Sequence, residues 1–288
     1  MTRQNIFEIL KSKYDITSEM NKIIELVSIK MFSVSNFYGQ RVQYTAEELF
    51  DNVLLRNWKQ RGSYLSSTEI KRILQIPQIF NKEMTEIMII TTLEYYENIF
   101  YLMYKKLGIP NNPNYETSQY YSLTIENMNI LLEHLNYEMK IFENEEKVIL
   151  IPRKPEATAV AEISSEETAL AILMYNHHSM KGDIEGKRTI LYKIAHEYET
   201  LLKTPIEGYN DFFVKTNALL NNLHIRHDNK TKEGNKNPVI EIDDKELENW
   251  YDELYQLLLF CVLIPDNLER KNRVVDFLKS IKENKCKD

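Results

Sequence analysis

Tyr137-Glu138-Met139-Lys140-Ile141-Phe142-Glu143-Asn144-Glu145-Glu146-Lys147-Val148-Ile149-Leu150-Ile151 is where the periodicity of this chain changes. Tyr137–Phe142 and Lys147–Ile151 alternate or run β-branched on either side of four polar residues, the pattern of an antiparallel hairpin. Upstream and downstream the apolar spacing is helical. The expected fold class is therefore mostly α, a helical bundle with a small antiparallel β-hairpin insertion. Thr158–Ile163 is a short segment that either pairs with the hairpin or crosses to the next helix.

Before the hairpin, helices are expected over Asn5–Lys13, over Glu19–Phe32 with cap candidates in Ile16-Thr17-Ser18, and from Thr45 to about Gln60. Thr45 with Glu48 three residues on has the form of a capping box. Ser67-Thr68-Glu69 opens a shorter helix, and Asn81 to Leu107 a long apolar one closed by Gly108, with Pro110 and Pro113 beyond. On that helix Tyr95, Tyr96, Phe100, Tyr101 and Tyr104 form an aromatic stripe, read as core or dimer surface. Leu107 to Thr117 reads as a linker, and a helix from Gln119 to Leu135 follows. After the hairpin, helices are expected over Glu166–Asn176, Glu185–Lys203, Tyr209–Ile225, Lys245–Leu263 and Leu268–Glu283. The fourth carries Leu247, Trp250, Tyr251, Leu254, Leu258 and Cys261 in one apolar stripe. This organises the chain as an N-terminal helical region (1–110), a linker, helix and hairpin (111–163), and a C-terminal helical bundle (164–288).

The composition narrows the function classes. Only seven glycines in 288 residues argue against a glycine-rich nucleotide fold and for long helices. A net charge of −7 gives no global signature of nucleic-acid binding. The charge is uneven, however: Lys215, Arg226, Lys230, Lys232 and Lys236 face only Asp228 and Glu233 in their window, an excess suited to a phosphate rather than a long duplex. Two cysteines, Cys261 in an apolar helix and Cys286 in a lysine-rich tail, form neither a disulfide framework nor a metal site. Met1 to Lys13 lacks the apolar core of a secretory signal, and no apolar run reaches membrane-spanning length. A cytoplasmic protein without membrane contact is expected.

The densest polar stretch is Asn221-Asn222-Leu223-His224-Ile225-Arg226-His227-Asp228-Asn229-Lys230, where an apolar helix gives way to turn-forming residues. Arg226 offers a planar fork of donors for phosphate, and His227 exchanges protons near neutral pH. The plainer reading makes this a polar helix end whose side chains satisfy free backbone groups. A second cluster, Tyr175-Asn176-His177-His178-Ser179-Met180-Lys181-Gly182-Asp183 with Lys187-Arg188, reads as a helix-ending turn followed by an Asp183 cap. A functional alternative has this turn facing the Arg226–His227 end and supplying donors. Adjacent histidines on a helix point about 100° apart and rarely chelate together, so no metal is expected. Glycine-rich phosphate loops, Gly-x-Ser-x-Gly and His-Glu-x-x-His are all absent from the sequence. Asp243-Asp244 reads as a helix cap.

A long helix ending in Arg, polar residues and His, then a loop and a closing apolar helix, resembles the HEPN superfamily, which includes many bacterial abortive-infection and toxin ribonucleases. The similarity runs from about Glu166 to Ile264 and is carried by Asp183–Arg188 and Leu219–Asn229. It implies metal-independent RNA cleavage in antiphage defence, no cofactor, and a homodimer with paired sites. Arg226, His227 and Asn222 would be catalytic, with Lys230, Lys232, Lys236, His224 and Asp228 binding RNA. The superfamily places His four to six residues after Arg, whereas here His227 follows Arg226 directly. His227 or His224 would then take the acid/base role, or the site binds RNA without cutting it. The competing expectation is a non-catalytic helical module that senses or binds another defence-system protein.

Overall fold

A computed structural model of the protein describes residues 14–35, 40–81, 83–226 and 242–285. The architecture is mostly α, with two small antiparallel sheets. The chain divides into two compact units, Met1–Pro152 and Arg153–Asp288.

In the first unit, α1 (Ile16–Val27) begins at Asp15, whose carboxylate accepts from the Ser18 amide. The cap is thus Asp15 rather than Ile16–Ser18, and the helix stops at Val27. Phe32, expected at its end, instead opens strand β1 (Phe32–Ser35). This strand is the centre of a three-stranded sheet with β2 (Arg41–Tyr44) and β3 (Tyr115–Thr117), in the register Phe32↔Tyr44 and Phe32↔Thr117. The Leu107–Thr117 segment is therefore no linker, because its last three residues pair inside the unit.

Thr45 and Glu48 form the reciprocal capping box that opens α2 (Ala46–Leu49). The expected continuous helix to Gln60 instead loosens to a wide turn at Phe50–Leu54 and tightens at Leu55–Asn57 and Lys59–Arg61. Next come α3 (Ser67–Ile73), capped by the Ser66 hydroxyl, and α4 (Glu86–Leu107). Gly108 ends α4 in the left-handed region, φ 66°, where a side chain would be strained. Tyr95, Tyr96 and Phe100 of the aromatic stripe enter the first core, while Tyr104 is exposed.

After α5 (Gln119–His134) comes the expected hairpin, β4 (Tyr137–Phe142) with β5 (Lys147–Pro152), in the register Met139↔Leu150. Val148 through Ile151 are all buried, so this strand reads as an apolar run rather than an alternation. Polar residues of α4 replace a missing strand along its outer edge. The Asn98 amide donates to the Val148 carbonyl (2.8 Å) and accepts from its N–H (2.9 Å), and Glu94 accepts from the Leu150 N–H (2.7 Å). Lys105 and Gln60 donate to the tip carbonyls of Glu143 and Glu145. These bonds tie the hairpin to α4, and α5 and the hairpin both lie within the first unit, which ends at Pro152.

In the second unit, Thr158–Ile163 is neither strand nor crossing: α6 (Pro155–Glu162) starts with Pro155 in its first turn, where no amide is needed. It is followed by α7 (Glu166–Tyr175), a single turn at His178–Met180, α8 (Ile184–Glu197), α9 (Glu199–Lys203) and α10 (Asn210–Asn222). The two helices expected after residue 244 are one, α11 (Asp244–Lys285), which continues through Pro265. Asp243 caps it, accepting from the Glu246 amide. Tyr251, Leu254, Leu258 and Cys261 of its apolar stripe are buried in the second core, whereas Trp250 is 43% exposed. Among the described residues no helix is long and apolar enough to cross a membrane.

Candidate functional site

α10 buries Phe213, Thr216 and Leu220 on one face, and Asn217 ties it to α9 by donating to the Leu202 carbonyl (2.6 Å). The helix ends in a chain reversal. His224 sits at φ 59°, and the Ile225 N–H returns to the Leu220 carbonyl (3.1 Å), with the Arg226 N–H on the same oxygen (3.3 Å). This is a Schellman-type terminus, in which the residue after the left-handed one is usually apolar and packs back on the last turn. Leu220, Leu223 and Ile225 are all buried in the second core.

Two long-range bonds fix this end. Arg188 of α8 donates through Nε to the His224 carbonyl (2.9 Å), and the Tyr251 hydroxyl reaches the Leu223 carbonyl (3.4 Å). The helix end thus gains a cation where its carbonyls converge.

The expected site residues part company here. Asn222 is exposed in the last turn of the helix. The His224 ring is buried, and neither ring nitrogen has a hydrogen-bond partner among the described residues. Arg226 is half-buried, and its Nη2 is buried without an acceptor among the described residues. Its field reaches the start of α9: Lys203 chiefly holds the Glu199 carboxyl below the usual carboxylate range, and Arg226 and His196 add to the effect. His227, Asp228, Lys230, Lys232 and Lys236 lie outside the described residues.

The second polar cluster turns toward α11. Asp183 does cap α8, accepting from the Gly186 N–H (2.9 Å). Gly182 donates to Glu248 (2.7 Å), and Asn176 donates to the Tyr255 hydroxyl (2.8 Å). Lys187, 5% exposed, bridges Asp252 (2.6 Å) and Glu248 (2.9 Å) beneath the Tyr175 ring, which stacks on Tyr255 at 4.0 Å. The Gly182 amide, then Lys187, holds the Glu248 carboxyl below its ordinary range. Burial, then Asp252, pushes the Tyr175 phenol far up, so it stays a neutral donor to Asp252 (2.8 Å). A cleft of about 540 Å³ lies over this network, rimmed by Lys154, Lys181 and Lys245. Of the cluster, Arg188 reaches the end of α10, through its bond to the His224 carbonyl. Glu248 and Asp252 gave no signal in the sequence beyond helical charge spacing.

No protein-family model, curated protein or solved structure matches this chain.

Proposed function

We propose that the second unit is a HEPN-like, metal-independent ribonuclease, or an effector derived from one, acting in bacterial antiphage defence. The observation that supports this reading is the Arg226 guanidinium. A buried N–H of a guanidinium with no acceptor among the described residues is costly, and a phosphate oxygen would satisfy it with a strong charge-assisted bond. Arg226 follows a chain reversal anchored by Arg188, so its backbone is fixed and the entropy lost on binding is reduced.

In the proposed reaction His227 takes the proton from a ribose 2′-hydroxyl, whose oxygen attacks the adjacent phosphorus. The bond to the 5′-oxygen of the next nucleotide breaks, leaving a 2′,3′-cyclic phosphate and a 5′-hydroxyl once that oxygen is protonated. Arg226 stabilises the charge that develops on the phosphate oxygens, and Asn222, exposed at the last residue of α10 before the reversal, orients the same phosphate. The His224 backbone makes the chain reversal and its ring is buried, so in this reading proton transfer falls to His227. A homodimer in the cytoplasm would bring two such ends together.

The test is cleavage of RNA in the presence of chelator. Cyclic-phosphate ends that disappear in both Arg226→Ala and His227→Ala support the proposal, and full activity in both variants removes it.

A second reading, a helical interaction module for another defence-system protein, is favoured by the last stretch of α11. Val274, Phe277 and Leu278, at i, i+3 and i+4, are 56, 63 and 52% exposed. An antiphage phenotype lost in Phe277→Asp but kept in Arg226→Ala would select that reading.

A further inference from the structure

We propose that the first unit carries a binding site for a small organic anion with an apolar body, in the cleft between α1 and α3. The cleft measures about 680 Å³, within the range of small-molecule sites. Ile24 and Val27 of α1 form one wall, Lys71 and Arg72 of α3 the other, and Ile76 to Ile79 the rim.

The shape of the cleft is fixed by two devices. Asn21 on α1 clamps the chain beyond the rim, accepting from the Phe80 N–H (2.7 Å) and donating to its carbonyl (2.9 Å). With Phe80 thus buried, Ile79 is left 74% exposed at the mouth. The floor is set by Glu47, whose two oxygens are both engaged. One accepts from the Tyr96 hydroxyl (3.0 Å) and the other from Lys71 Nζ (2.6 Å). Burial, then Glu47, pushes the Tyr96 phenol up, so it remains a neutral donor.

Charge decides the class of ligand. Glu47 offsets Lys71, whereas Arg72 makes no ion pair or side-chain hydrogen bond among the described residues. One positive charge is left over, beside the hydroxyls of Thr45 and Thr68 and facing isoleucine and valine side chains. A single anionic head would pair with Arg72 while an aliphatic or aromatic body covers the apolar wall. Neither a cation nor a fully polar anion uses both halves.

The probe is 8-anilinonaphthalene-1-sulfonate, titrated fluorimetrically against the intact chain with sodium octanoate and octyl glucoside as competitors. The expected result is saturable binding of one dye, displaced by octanoate and not by octyl glucoside. Arg72→Gln should weaken it about tenfold or more, the worth of one charge-assisted bond. Ile79→Asp should weaken it as well, and Ile141→Asp, an exposed apolar residue of the hairpin, should not. Helical circular dichroism checks that each variant is folded. Displacement by octyl glucoside as readily as by octanoate, or an affinity unchanged in Arg72→Gln, overturns the proposal. None of these outcomes depends on RNA cleavage, so the two proposals stand or fall separately.

Discussion

Glu97 lies on α4 in the first core, 6% exposed, and its Oε1 has no hydrogen-bond partner among the described residues. Burial pushes its pKa from the ordinary 4.5 up to about 7. Because the folded-state value is raised, the folded protein holds this proton more tightly than the unfolded chain. Below pH 4.5 the group is neutral in both states and costs nothing through ionisation. Between 4.5 and 7 the unfolded chain ionises first, and stability falls as pH rises; above 7 the penalty is complete. A shift of this size corresponds to about 3 kcal/mol, from roughly 1.4 kcal/mol per pH unit.

Glu97→Gln keeps the shape and removes the charge. The variant should be about 3 kcal/mol more stable than wild type at pH 8 and nearly equal to it at pH 4.5. Urea titration followed by tryptophan fluorescence reads this directly. In a Trp250→Phe background Trp58, which packs edge-on against Phe50 of the first core, is the sole tryptophan reporter. A stabilisation that is the same at both pH values, or a destabilisation that grows with pH, would refute the reasoning. The second result would mean that the ionised carboxylate has a favourable partner.

Asn98→Ala should cost the first unit about 2–4 kcal/mol in the same titration, since two buried groups of Val148 lose their partner at once. Thr45→Ala removes the acceptor of the capping box and should cost about 1 kcal/mol, with α2 the first element to lose amide-exchange protection. At His224, φ 59°, Asn tolerates the left-handed conformation and should change stability by less than about 1 kcal/mol, whereas β-branched Val should cost about 2 kcal/mol or more. Trp250 fluorescence in a Trp58→Phe background measures this in the second unit. Equal effects of Asn and Val would show that the reversal does not fix the end of α10.

Legibility of the fold tracked the range of the interactions. The Thr45–Glu48 box and the Gly108 terminus were readable because each is a contact within one helical turn. The hairpin was readable because its strands are adjacent in sequence, with every pair of its register formed inside residues 137–152. β1 and β3 were not, since Phe-Ser-Val-Ser and Tyr-Glu-Thr are short and partly polar: β1 pairs locally only with the equally short, polar β2, and β3 pairs only with β1, some eighty positions away. Glu94 and Asn98 look like the exterior of a helix until β5 supplies the edge they satisfy. Pro265 looked like a break between helices. It lacks only the N–H that would reach back to Cys261, one bond in a helix of 42 residues, and the rest of α11 absorbs that loss.

The candidate site shows the same limit at closer quarters. Sequence placed His224 and Arg226 two positions apart and so invited one shared role. The left-handed turn at His224 separates them: the ring is taken into the core side of the reversal with Leu223 and Ile225, while the Arg226 guanidinium acts on Glu199 at the start of α9. Lys187 and Arg188 part in the same way, for neighbours on a helix point about 100° apart. Lys187 turns to Asp252, 65 positions on, and Arg188 to the carbonyl of His224. What a polar residue can do therefore follows from which buried carbonyl or carboxylate claims it first. Among the described cations of this unit, Arg226 is the one whose buried nitrogen is left unclaimed, and that is why the functional reading rests on it.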